Sequence, residues 1–178
     1  MHSITAFDTA ILWWIQEYIA SPLMDVIMPA ITHLGDAGAI WVVITLALLL
    51  RKETRMWGIS MFIALAICFV AGNLLLKPWI ARLRPCHILE LPLLISIPSD
   101  FSFPSGHTMS SFASAAVLYY YNKFWGKIGL GLAALIAFSR LYLFVHYPSD
   151  IAAGVVLGLL AGWLACKLTK LLSLKKNL

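Results

Sequence analysis

Apolar residues run along this chain in long blocks separated by short polar breaks, not in the alternation of a half-buried strand. Blocks at roughly residues 56–76, 105–122, 127–145 and 149–170 each come close to the about 20 residues that carry a helix across a bilayer. Residues 22–50 form a longer block broken near Gly35-Asp36-Ala37-Gly38. It reads as one tilted, kinked span, with two half-length helices as the alternative. Residues 5–20 differ: Phe7, Ile11, Leu12, Ile15 and Ile19 recur at helical spacing beside Trp13 and Trp14, with Asp8, Gln16 and Glu17 among them. That pattern predicts an interfacial amphipathic helix within residues 1–21, a structural anchor more than a binding site. The predicted fold is all-α. It is a polytopic membrane helix bundle with about five transmembrane helices (six as the alternative) plus the N-terminal amphipathic helix, in one domain over residues 1–178.

Composition strengthens this picture. Of 178 residues, 61% are hydrophobic and 12% charged, whereas a soluble domain carries about 25% charged residues. A disordered chain is excluded, and the composition argues against an ordinary soluble enzyme. The net charge of +5 does not point to nucleic acid, because the cations sit at the ends of apolar blocks instead of along one solvated stripe. Arg51, Lys52 and Arg55, then Lys123 and Lys127, then Lys167, Lys170, Lys175 and Lys176 share one face if the spans alternate. The positive-inside rule makes that face, and the C-terminus, cytoplasmic. Residues 77–104 and 146–150 then lie outside. The N-terminus lacks the basic start of a cleavable signal peptide. Cys68, Cys86 and Cys166 have neither metal-site nor disulfide spacing. The longest polar interval, residues 85–103, carries Pro85, Pro92 and Pro98, with Pro104 just beyond, and reads as a loop. Its Leu89, Leu91, Leu93, Leu94 and Ile95 are expected to fold back onto the membrane surface.

Three clusters of polar residues stand on the external side, where ionisable groups at membrane depth are costly and functional by default. In the first, Lys77 ends a span and Pro78 biases its backbone away from helix while suiting the first turn of a new short helix; Arg84 follows on nearly the same helical face, about 10 Å along the axis. A point charge and a planar fork can there converge on one anion, although each cation taken alone could merely snorkel to headgroups. The second is Pro104-Ser105-Gly106-His107, at the start of a span. Free N–H groups, the helix dipole and a glycine suit close approach of a phosphate, and a simple cap is the plainer reading. In the third, Arg140 lies in the outer part of an apolar block, and His146 and Asp150 flank Pro148 at a helix start. The carboxylate can orient one ring nitrogen and leave the other bare as nucleophile or base, or the pair can be purely structural. Combined, these groups are what phosphoryl transfer needs: positioned cations, a nucleophile and a proton donor. The histidines have no metal-ligand spacing, and Glu90, Asp100 and Asp150 are the only evident loop carboxylates, so no metal and no other cofactor is expected.

The pattern K-x6-R-P, then P-S-G-H, then S-R-x5-H-x3-D resembles the type 2 phosphatidic acid phosphatase family. Here it runs from Lys77 to Arg84-Pro85, through Pro104-Ser105-Gly106-His107, to Ser139-Arg140, His146 and Asp150, covering residues 77–150. The resemblance implies a metal-independent lipid phosphatase or diphosphatase. His146 would be the nucleophile that forms a phosphohistidine, Asp150 its orienting carboxylate, and His107 the acid that protonates the leaving oxygen. Lys77, Arg84 and Arg140 would bind phosphate, and Ser105 with the Gly106 N–H would complete the cradle. Arg82 and His87 match no motif and receive no role. Expected partners are a lipid phosphate or diphosphate and the membrane itself, with no nucleic acid and no obligate protein partner. Among family substrates, undecaprenyl diphosphate is favoured over phosphatidylglycerol phosphate and phosphatidic acid. A non-catalytic lipid-phosphate binder or transporter would not need His107, His146 and Asp150 together.

Overall fold

The computed structural model describes residues 2–89 and 93–176, without the side chains of residues 2–5 and 174–176. Glu90, Leu91 and the side chains of His2, Lys175 and Lys176 therefore lie outside the described residues. Every regular element among the described residues is helical. In chain order these are α1 (His2–Tyr18), α2 (Pro22–Leu34), a 3-10 turn (Asp36–Gly38), α3 (Ala39–Leu50) and α4 (Arg55–Cys68). A π-helical stretch (Phe69–Leu76) leads into α5 (Lys77–Ile80), followed by α6 (Pro85–Leu89), α7 (Gly106–Tyr121), α8 (Lys123–Tyr142) and α9 (Pro148–Lys176).

Three stretches are long and apolar enough to cross a membrane: Arg55–Leu89, Lys123–Tyr142 and Pro148–Ser173. Pro22–Leu34 and Asp36–Leu50 together make a fourth, bent by 45°. The bend is where the sequence breaks. Ala37 and Gly38 both adopt the left-handed conformation, at φ 50° and 71°, which glycine accepts freely and alanine only under strain. The expected span at 105–122 is the 16-residue α7, about 24 Å long and shorter than the other candidates. It is the hub of the bundle, packed against α4, α8 and α9, so it needs no lipid-facing surface.

Small side chains let α7 sit there. Ser111, Ala113, Ser114 and Ala115 are buried along it, and Gly154, Gly158 and Gly162 of α9 line up one turn apart against it. A Cβ on Gly158 would meet the Met109 carbonyl oxygen at 2.4 Å, and one on Gly162 the Ala113 carbonyl oxygen at 2.6 Å. Small residues at such spacing allow two backbones to touch without lipid between them. Trp41 Nε1 donates to Ser111 Oγ at 2.8 Å and ties α3 to the same hub.

This antiparallel order sends Arg51, Lys52, Arg55, Lys123, Lys127, Lys167 and Lys170 to one end. The end of the Phe69–Leu76 stretch, the starts of α7 and α9 and the end of α8 gather at the other. Helix α1 lies across that second end, with Leu12 and Ile15 buried and Trp14 and Tyr18 exposed. Its Asp8 also points inward, only 2% exposed.

Candidate active site

Lys77 and Arg84 do not share a helical face as expected. Lys77 keeps helical geometry despite Pro78, because the preceding π-helical stretch already widens the hydrogen-bond ladder where proline lacks a donor. The helix then stops at Ile80, and Ala81 turns left-handed at φ 48°. That turn brings Arg84 back beside Lys77 through space: Lys77 Nζ and Arg84 both donate to the carboxylate of Asp100, the latter from Nη2 at 2.6 Å. Arg84 Nε adds a bond to the Asp100 carbonyl oxygen at 2.8 Å. An internal carboxylate thus occupies two of the three cations that the family resemblance assigns to phosphate.

His146 sits in the tight turn between α8 and α9 and is 1% exposed. Arg84 Nη1 donates to the Val145 carbonyl oxygen at 2.7 Å and lies 3.0 Å from His146 Nε2. A guanidinium can only donate, so Nε2 must present its lone pair and Nδ1 must carry the proton. Nδ1 faces Asp150 Oδ2 at 3.6 Å and Ser102 Oγ at 3.5 Å. The Asp150 contact is longer than a hydrogen bond. Asp150 is itself held: Oδ2 accepts from Ser102 Oγ at 2.5 Å and from the Tyr147 N–H at 2.9 Å, while Oδ1 accepts from Arg82 Nη1 at 2.7 Å. Arg82 in turn donates to Asp8 Oδ2 at 2.8 Å and stacks over the Tyr147 ring. Asp8 also accepts from the Ser149 N–H and hydroxyl. The N-terminal helix is therefore wired to the carboxylate behind His146.

The opposite wall is the start of α7. Ser105 is its N-cap: fully buried, its Oγ accepts from the Thr108 N–H and hydroxyl at 3.4 and 3.0 Å, and it does not line the cavity. Gly106 does line it, and a Cβ there would point toward Lys77 Nζ at 3.9 Å. His107 Nε2 meets Asp36 Oδ1 at 2.9 Å, and His33 Nδ1 holds the second Asp36 oxygen at 2.7 Å. Arg140, 3% exposed, donates from Nη1 to Thr32 Oγ1 at 2.5 Å. Among the described residues its Nε has no hydrogen-bond partner and no carboxylate forms an ion pair with it.

Lys77, Arg84, His107, Arg140 and His146 line one cavity of about 320 Å³, with Asp36, Asp100 and Gly106. Through Lys77, Asp100, Gly106 and His107 the cavity opens into a mostly apolar groove of about 700 Å³ between α3 and α4, floored by Val42, Leu46, Phe62 and Phe69. Burial, and after it the charges of Arg84, Arg140 and Lys77, push the pKa of His146 well below its ordinary value. The neutral, nucleophilic form is thus favoured. Three cations and a dry pocket thus outweigh the one carboxylate, Asp150 at 3.6 Å, whose charge acts in the opposite sense. Partial burial opposes ionisation of Asp100, but Lys77 and Arg84 outweigh it and hold the carboxyl at about 2. Among the described residues no group of three or more His, Cys, Asp or Glu is arranged to hold a metal ion.

A transmembrane helical bundle with histidines facing buried cations defines a class of membrane phosphatase, and comparison with known proteins names its family. Residues 56–172 match the PAP2 superfamily, and the chain belongs to that family. It is similar to the undecaprenyl-diphosphatase of Sulfolobus acidocaldarius, 34% identical over 77% of this chain and 67% of the relative. The lipid A 4'-phosphatase of Bacteroides thetaiotaomicron is 33% identical over 90% and 76%. The crystal structure of the transmembrane PAP2-type phosphatidylglycerolphosphate phosphatase from Bacillus subtilis superposes with a TM-score of 0.78. It shares 27% identity and covers 96% of this chain and 88% of that one. The chain is a membrane lipid phosphatase.

The motif reading missed five participants. Asp36 was legible only as an acid stranded in an apolar run. Asp100 and Ser102 carried no signal beyond their place before Pro104. Asp8 and Arg82 find each other across 74 positions of sequence, which no local pattern encodes.

Proposed function

We propose that the chain hydrolyses a lipid phosphate or diphosphate at the outer membrane face, through a phosphohistidine on His146 and without a metal ion. The observation that carries this is Arg140: a buried guanidinium that, among the described residues, has an unpartnered Nε and no carboxylate paired with it, in the cavity that holds His146. Leaving such a donor unsatisfied is costly, and an arriving phosphate oxygen satisfies it. Lys77 and Arg84 take the remaining oxygens once Asp100 gives them up, with the Gly106 N–H completing the cradle. His146 Nε2 attacks phosphorus while the bond to the leaving oxygen breaks, and His107 gives that oxygen its proton. His107 then takes a proton from water, whose oxygen displaces His146 and releases phosphate. Asp150 and the Ser102 hydroxyl bonded to it face the Nδ1 proton throughout.

The apolar groove off the cavity suits a lipid tail entering between α3 and α4, and the favoured substrate is undecaprenyl diphosphate. The likeness to the archaeal undecaprenyl-diphosphatase supports that choice; the likeness to the phosphatidylglycerolphosphate phosphatase structure favours phosphatidylglycerol phosphate as the second reading, with phosphatidic acid behind it. The cation-rich end would be cytoplasmic, with the C-terminus, and the site external.

Phosphate release by purified protein in EDTA tests the proposal, with undecaprenyl diphosphate, phosphatidylglycerol phosphate and phosphatidic acid in mixed micelles and His146→Ala as control. Release that survives EDTA and disappears in the variant is expected, fastest with the diphosphate. Binding of all three lipids without release would make the chain a lipid-phosphate carrier instead.

A further inference from the structure

We infer that Asp36 is the positioning carboxylate of His107, the counterpart on the proton-donor side of Asp150 on the nucleophile side. The inference rests on the proposed phosphohistidine mechanism and adds to it a residue outside the three motifs. Asp36 Oδ1 lies 2.9 Å from His107 Nε2 and Oδ2 lies 2.7 Å from His33 Nδ1. Neither the 3-10 turn nor α3 uses an acidic side chain as its cap, so both Asp36 oxygens are spent on histidines. The local backbone is shaped for this contact. Ala37 and Gly38 are both left-handed, and Gly35 leaves room for the imidazole: a Cβ there would stand 2.6 Å from His107 Cδ2.

The chemistry follows from what a carboxylate can do. Asp36 can only accept, so His107 Nε2 carries a proton and Nδ1 is the nitrogen left for substrate. To act as an acid, Nδ1 must be protonated as well, which makes the ring an imidazolium in a cavity it shares with Lys77, Arg84 and Arg140. A cation among three cations needs a counter-charge, and Asp36 supplies it at contact distance. After Nδ1–H has passed to the leaving oxygen, the neutral ring keeps Nε2–H on Asp36 and turns the bare Nδ1 to the attacking water. The two histidines thereby take opposite tautomers from two different settings. Arg84 denies His146 Nε2 a proton, and Asp36 keeps one on His107 Nε2.

The test compares two phosphoryl donors that differ in their need for acid. Phosphatidic acid leaves an alkoxide that must be protonated, whereas 4-nitrophenyl phosphate leaves as a stable phenolate. The rate of phosphohistidine formation is read by rapid quench with both, in wild type and Asp36→Asn. The expected result is a loss of roughly 10- to 100-fold with phosphatidic acid, within the range of general acid catalysis. KM should stay unchanged, and the aryl ester should lose less than about threefold, as expected when a leaving group needs no proton. Retained aryl transfer also shows that the variant folds. Equal loss with both donors, or loss with neither, overturns the role of Asp36 and leaves the His146 reading standing. Absence of any phosphohistidine in the wild type overturns the His146 reading, and this inference with it.

Discussion

Arg84 Nη1 lies 3.0 Å from Nε2 of His146, and because a guanidinium has no lone pair to offer, this contact alone selects the tautomer of the histidine. On the proposed mechanism Arg84 is thus more than a phosphate ligand: it leaves Nε2 of His146 bare until an anion draws the fork away.

Lysine should not replace it. Lys at position 84 keeps a charge but cannot bond Asp100, Val145 and His146 together as the fork does. Arg84→Lys is expected to lower kcat/KM by about 100-fold or more, some 3 kcal/mol of transition-state stabilisation. Phosphate release across a substrate series measures it, and near-wild-type turnover would count against the tautomer argument.

On the proposed mechanism Asp100 and substrate phosphate compete for Lys77 and Arg84. Asp100→Asn should therefore lower the concentration of vanadate that half-inhibits the enzyme by several-fold, since vanadate mimics the transferring phosphoryl group. Unchanged inhibition would mean that Asp100 already lies clear of the bound anion.

Acid stability carries a signature of His146. Its folded pKa lies below the unfolded value near 6.5, so below that pH the unfolded chain binds the extra proton and folding loses stability. The penalty is absent above about pH 7 and grows as pH falls toward the folded value. Asp100, held at about 2, acts in the same sense only below about pH 4, where its unfolded counterpart protonates. Thermal unfolding in detergent at pH 7 and pH 5 should show a smaller acid shift for His146→Asn than for wild type. An equal shift would show that His146 does not titrate differently on folding.

The buried Asp8–Arg82 pair anchors α1. Asp8→Ala leaves Arg82 and Ser149 without that partner and is expected to cost about 3 kcal/mol of stability. Chemical unfolding checks this, and phosphatase activity should fall as well, because Arg82 also holds Asp150. A change below about 0.5 kcal/mol, typical of an exposed pair, would place α1 outside the catalytic support.

Gly158 sets the distance between α7 and α9. Its Cβ would lie 2.4 Å from a backbone oxygen, which cannot rotate aside. Gly158→Ala should cost about 1–3 kcal/mol. It should also reduce kcat, since α7 carries His107 and α9 carries Asp150; a thermal melt paired with an activity assay reads both.

The membrane character, the helical class and the three motifs were legible because each depends on short stretches of sequence. Apolar runs near 20 residues have few readings other than a span, and a histidine four residues before an aspartate around a proline can be seen without coordinates. The kink at Gly35-Asp36-Ala37-Gly38 was visible too, although not its purpose. A local rule was overridden at Pro78, which left Lys77 helical because the π-helical stretch had already opened the ladder; the short helix that this proline was expected to start is α5.

Residue order by itself determined which chemical groups this protein has and which blocks of chain become helix, since hydrophobic period, proline and glycine act over a few residues. Only the tertiary structure decided which groups meet. Asp36 reaches His107 across 71 positions, Arg82 reaches Asp150 across 68, and Ser102 reaches Asp150 across 48. Such pairings follow from helix packing that buries the ionisable groups together, where each must find a partner or pay the cost of desolvation.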